Sequence, residues 1–491
     1  EMVGPDRAYS AQASADTDHD LAKTDRIEHT GARPATVSTA DRTGEQWDMR
    51  LIDAGQAHKI TEGSRDVLVG VLDSGIDPNH PDLRPALDPA DSAGCVDGVA
   101  ERGQSSWAPT TSGHGTHVAG IIAAADDGKG ITGVAPGVRI ASVKVVDDSG
   151  YIYPEAAVCG LMWAAARHMS ITNNSYFVDP WLFACDDSTG QHVVYQAMKR
   201  AVDYATAHGV LNIAAAGNSG VDLTSPGDDA NSPDNAAPDQ RTDRQLGDDC
   251  ATLPAGLPGV LAVSSVGPGM VKASYSAYGL GAIDVAGPGG DREQASAVST
   301  SNADDVTASA GSGVGNDGAA AADDGSSAAL DVNNATHDNS THNDGATTRG
   351  GAPTKNGSAE KTSAVTTPAP QHNHGTQSVE DNAGADDGCV LSTVPGGYGY
   401  ECGTSMAAPH VTGVAALLAS KHPHASPAQL TNLLNATASP LSCPSDYDLS
   451  GTGAQDAYCT GYAKYNSFYG HGMVNALNAV APTGKPGKQS Q

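Results

Sequence analysis

Three short segments of this chain carry side chains whose types and settings could do nucleophilic chemistry. Leu72-Asp73-Ser74-Gly75 follows a continuous β-branched run at 67–72, the pattern of a strand buried on both faces. Catalytic groups gather at the carboxyl ends of strands in a parallel sheet, so Asp73 would sit at a working edge, with Gly75 allowing a tight turn. Gly113-His114-Gly115-Thr116-His117 opens an apolar helical run. Glycines on both sides of His114 allow close approach of another segment and leave both ring nitrogens free to bond. Gly403-Thr404-Ser405-Met406-Ala407-Ala408-Pro409 reads as the start of another helix. Free N–H groups and the macrodipole there favour negative charge near the Ser405 hydroxyl. Pro409 is read into the first turn, whose N–H groups have no partners in the helix. Gathered in one site, the hydroxyl would be a nucleophile, the imidazole its general base, and the carboxylate the group that orients the base. Singly, the segments read equally well as a loop-capping Asp, a pair of helix histidines and a Ser N-cap. No Glu follows His114 as in HExxH, which speaks against a zinc site on His114 and His117.

The elements that must position these residues are legible as a pattern. Further apolar runs occur at 138–146, 210–216 and 260–266. A helical stretch lies at 191–208, with Val194, Ala197, Met198, Ala201 and Ala205 on one face and Gly209 as a stop. Strands alternating with helices predict an α/β fold, a doubly wound and mostly parallel sheet flanked by helices.

Residues 1–45 are polar and read as an N-terminal arm, 46–482 as one domain, and 483–491 as a linker-like tail. Residues 291–388 interrupt the domain. No Phe, Trp or Tyr occurs between Tyr278 and Tyr398, and Ala, Ser, Thr, Asn, Asp and Gly dominate, the composition of a disordered insertion. His372 and His374 within it read as part of a solvated tract. The net charge of −30 argues against nucleic acid or an anionic membrane as partner. No run of about 18 apolar residues is present, so no transmembrane helix is expected. The chain begins at Glu1, which suggests a removed leader. Its eight cysteines include no CxxC pair and suit disulfides in an oxidising compartment. Cys443 with Cys459 would close a local loop; Cys95 with Cys159 and Cys185 with Cys250 are further pairings among many.

Together the three segments resemble the subtilisin-like serine proteases, or subtilases, from about Trp47 to Pro482, with secreted actinobacterial members as the expected kin. The order Asp73, His114, Ser405 is the subtilisin order. The resemblance implies that Ala216-Gly217-Asn218-Ser219-Gly220 supplies Asn218 as oxyanion donor, beside the Ser405 N–H. It implies that segments around Gly150 and Tyr151, and around Ser175 and Tyr176, pair with a substrate backbone, with Gly217 nearby. Phe177 and Val178 stand where many relatives have glycines, which points to apolar substrate side chains. The resemblance also implies a structural calcium held by Asp82 and Asp127, with no cofactor needed for the chemistry. The expected protein is a secreted, monomeric endopeptidase acting on proteins or peptides. A maturase for one partner and a non-catalytic adhesin of the same fold stay as alternatives, the intact Asp73, His114, Ser405 and Asn218 opposing the latter.

Overall fold

The computed structural model describes residues 40–237, 240–241, 243–292, 294 and 388–481. Residues 1–39 of the arm, the tail, and the insertion from 295 to 387 with its two histidines lie outside the described residues.

Seven parallel strands form the central sheet: β1 (Leu68–Asp73), β2 (Ala93–Gly94), β3 (Arg139–Lys144), β4 (Ile171–Asn174), β5 (Leu211–Ala215), β6 (Val260–Val266) and β7 (Val285–Pro288). Their order is β7-β6-β5-β4-β1-β3-β2, and β1 is flanked in register by Val143 and Asn174 at Leu72. The order runs outward in two directions from β1 and β4, the doubly wound arrangement the sequence pattern predicts.

Strand alternation decides what each face meets. Val69 and Val71 of β1 join one core with α1 (His114–Ala123), α4 (Thr404–Lys421) and α5 (Pro427–Thr437). Leu68 and Leu72 join the opposite core with α2 (Pro154–Ala166) and α3 (Thr189–Ala207). Helix α1 is buried at every position except His114. A helix buried on every face belongs in an interior, and here His114, at its open end, is the one position that is not buried.

An antiparallel hairpin, β8 (Val390–Val394) with β9 (Gly397–Glu401), precedes α4. The neck of the insertion is narrow, because Asp291 N–H donates to Gly388 O at 3.0 Å. Four disulfides are present: Cys95–Cys159, Cys185–Cys250, Cys389–Cys402 and Cys443–Cys459. Among the described residues no helix is long and apolar enough to cross a membrane.

Candidate active site

Asp73 ends β1 and is fully buried. Ser74 N–H donates to its Oδ1 at 2.7 Å. The Ser74 hydroxyl then ties the strand end to α1, accepting Gly115 N–H at 2.9 Å and donating to Ser112 O at 3.3 Å. Two glycines make this contact sterically feasible. A Cβ at Gly75, whose φ is +107°, would lie 2.7–2.8 Å from the backbone of Trp107, Ala108 and Pro109. One at Gly115 would lie 2.6 Å from Gly75 O.

The result is a direct pairing. His114 Nδ1 lies 2.9 and 3.0 Å from the two Asp73 oxygens. Burial works against the charged ring, but Asp73, through its charge and its hydrogen bond, outweighs it with help from Glu401. The imidazole is pushed up to about 9. With its hydrogen on Nδ1, the ring keeps Nε2 for use as a base.

Ser405 is the second residue of α4 and half-buried. Pro409 lies one turn inside this helix rather than in its first turn. A residue there normally donates its N–H to the carbonyl four back, and proline has none to give. The freed Ser405 carbonyl accepts the Ser175 hydroxyl at 2.9 Å instead, and Ser405 Oγ donates to Ser175 O at 3.3 Å. A helix-breaking residue thereby opens a polar link between the helix and the end of β4.

Asn218 follows β5. Its Oδ1 accepts both the N–H and the hydroxyl of Thr404, at 2.9 and 2.8 Å, and Gly217 N–H donates to Thr404 Oγ1 at 3.2 Å. With the oxygen held twice, the amide's remaining capacity is its two Nδ2 hydrogens. Thr404 carries this arrangement and the sequence reading passed over it; a Thr at a helix start, next to the candidate nucleophile, was the available signal. The structure thus joins Asp73 to His114, and Ser405 to Ser175, with Asn218 bound to the adjacent Thr404. Packing of α1 against α4 joins the two groups.

The other predicted residues divide. Gly150, at φ +89°, forms a turn in which Asp147 accepts the N–H groups of Ser149 and Tyr151. Tyr151 O accepts Asp147 N–H at 2.9 Å, and its ring stacks on Tyr153. Both backbone groups of Tyr151 are therefore engaged within the turn. Tyr176 is buried in the core beside Val178, its hydroxyl donating to Asn174 at 3.1 Å, and burial pushes that hydroxyl up. At Gly217, whose φ is +111°, a Cβ would meet only Ala277 Cβ, at 4.0 Å.

Asp82 and Asp127 do not fit a cation. Asp82 Oδ2 accepts the Tyr398 hydroxyl at 2.8 Å and Ile131 N–H at 3.2 Å. Asp127 is half exposed and turned to Lys129, at 3.6 Å. The loop carbonyl Gly130 O accepts Arg42 N–H at 2.7 Å. Among the described residues the one cluster of three metal-ligating types is Cys185, Asp249 and Cys250, and its two cysteines are bonded to each other.

The sequence pattern of the subtilase family matches residues 64–330 and 349–472. The chain is 28% identical over 440 residues to fervidolysin of Fervidobacterium pennivorans, which covers 86% of this chain and 44% of fervidolysin. It is 35% identical over 176 residues to the minor extracellular protease Epr of Bacillus subtilis, 36% of this chain and 24% of that protein. The chain therefore spans less than half the length of these two relatives. Relatives of this kind, from Bacillus and Fervidobacterium, do not support the expected actinobacterial kinship. The crystal structure of the nisin leader peptidase NisP from Lactococcus lactis superposes with a TM-score of 0.56 at 19% identity, covering 91% of this chain and 96% of that one.

Proposed function

Because the chain belongs to the subtilase family, we propose that it is an extracellular serine endopeptidase working through Asp73, His114 and Ser405. The observation that carries this reading is the Nδ1 contact of His114 to both oxygens of buried Asp73. In the neutral ring, which gains population as pH rises toward about 9, the carboxylate holds the hydrogen on Nδ1, and Nε2 takes the Ser405 proton as Oγ attacks a peptide carbonyl. For this, the hydroxyl rotates away from its partner in the resting state, Ser175 O. The developing oxyanion receives hydrogen bonds from Asn218 Nδ2 and Ser405 N–H, and neither has to reorganise, since Thr404 already holds the Asn218 oxygen. The imidazolium, stabilised by Asp73, then protonates the leaving amine, and water completes the cycle through the acyl-enzyme.

Substrate would lie as an extended chain along the segment at Ser175, giving affinity through backbone bonds, while the turn at Gly150, whose own bonds engage the Tyr151 backbone, would flank it. The extracellular assignment rests on four disulfides and on the kinship with an extracellular protease. Digestion of an unfolded protein, with Ser405→Ala as the blank, tests the reading. Cleavage by the parent chain alone is expected. Equal cleavage by both would refute it.

A further inference from the structure

We propose that the Cys389–Cys402 disulfide positions the nucleophile, by locking the β8–β9 hairpin that bridges the helix of the base and the helix of Ser405. The inference rests on the function proposed above and concerns how that site is held.

The hairpin grips α1 closely. Ser392 Oγ donates to His117 O at 2.6 Å and Thr393 Oγ1 to Thr116 O at 2.7 Å. The His117 ring lies 3.2 Å from both Val390 O and Gly399 O, one carbonyl from each strand. A Cβ at Gly120 would come within 2.4 Å of the Ser392 and Thr393 hydroxyls, so hairpin and helix meet without space to slide. All of these contacts fall within two turns of His114.

The same hairpin runs directly into the nucleophile. Its ladder ends at the pair Val390 and Glu401, and the disulfide joins the next residues outward. Cys402 is followed by Gly403, whose N–H donates to Gly289 O at 2.9 Å, then by Thr404 and Ser405. A five-pair hairpin has little stability of its own; its two-residue turn at 395–396 sets the register, and its open end depends on what ties Cys389 to Cys402. The chain enters β8 from the long segment 295–387, and closing so long a loop carries an entropy cost. The open end is held by the disulfide, by Trp47 Nε1, which donates to the Cys389 carbonyl at 2.9 Å, and by Asp291 N–H, which donates to Gly388 O at 3.0 Å. Opening of that end would shift Ser405 relative to His114. Displacements of about 1 Å at a reacting group cost up to 10²-fold in rate.

The test compares two disulfides in the full chain. Cys389→Ser/Cys402→Ser should lower kcat on a chromogenic peptide, and the rate of fluorophosphonate labelling of Ser405, by about 10- to 100-fold, with KM within about twofold. Cys443→Ser/Cys459→Ser should lower Tm and leave kcat unchanged. If the first variant does not fold, the parent protein is reduced stepwise, and its labelling rate is followed against the opening of each bond by peptide mapping. Loss of labelling in step with the 389–402 bond is then expected. An unchanged labelling rate with that bond open, or equal kcat losses from both pairs, would overturn the proposal. A parent chain that never labels at Ser405 would instead remove the function reading itself.

Discussion

His114 and Lys272 are both buried bases, and the fold treats them oppositely. His114 faces a carboxylate at 2.9 Å, and its pKa rises to about 9 against the cost of burial. Lys272, 1% exposed, donates to the carbonyls of Ala273 and Ser276 and lies 5.0–5.4 Å from the ring centres of Tyr447, Tyr278 and Phe468. Burial there dominates, Asp291 and Asp456 oppose it only in part, and the ammonium falls to about 7. Rings and carbonyls hold a cation in place without keeping it charged; a paired carboxylate does both. The first arrangement suits a structural pin for the C-terminal segment, the second a working base.

The comparison breaks most visibly at Asp73. Asp73→Asn should lower kcat about 10⁴-fold, because the wrong tautomer is then favoured and the imidazolium loses its partner. In the parent chain, kcat/KM should rise with pH through a value above the ordinary 6.5 of histidine, since Nε2 must be unprotonated. In Asp73→Asn that limb should move to lower pH, and an unmoved limb would mean that Asp73 does not set it. Asn218→Ala removes a neutral donor instead of a charge. It should cost about 10²–10³ in kcat with little change in KM, and a change confined to KM would count against the oxyanion role.

Stability against pH sharpens the contrast. Below the unfolded value of about 6.5, the His114 contribution is complete; it is lost as pH rises through about 9. Lys272 runs the other way. From about 7 up to its unfolded value of about 10.4, the unfolded chain holds more protons, so stability rises with pH, at about 1.4 kcal/mol per unit of pKa difference. Between pH 7 and 9 the two slopes oppose each other. Urea unfolding of Lys272→Met should show a steeper decline in that window, and of His114→Ala a rise. Parallel curves for the two variants would show that the two bases are not treated differently.

The smallest effect is expected at Asp82, a carboxylate whose pKa burial pushes up while Tyr398 and Ile131 pull against it. Chelation in a Ser405→Ala background should leave Tm within about 1 °C, because those donors already stand where a cation would act. A drop of several degrees, absent in Asp82→Asn, would restore the calcium expectation.

The candidate residues were more legible in the sequence than the means of holding them. Asp73, His114 and Ser405 announced themselves through small neighbours, and those neighbours act as expected at Gly115, where strand end and helix touch. The apolar runs located four of the strands to within a residue or two. Strand β4 has no apolar run to announce it, since Thr172, Asn173 and Asn174 are polar. They are buried, satisfied by partners on β5 and α4: Thr172 bonds Asn212, Asn174 bonds Ile213 O, and Asn173 accepts from Thr412. Such pairings between distant segments leave no periodic trace. Pro409 was placed a turn too early, since composition does not reveal which carbonyl a missing N–H releases. The burial of the Tyr176 side chain is equally hidden, because the hydroxyl partner that lets it enter the core, Asn174, lies two residues away on the strand.

The most direct test of the account is covalent. Incubation with diisopropyl fluorophosphonate, then peptide mapping, should find one adduct on Ser405, forming faster as pH rises and abolished in His114→Ala. No adduct, or one on a different serine that forms equally well in His114→Ala, would contradict the assignment of these residues as nucleophile and base.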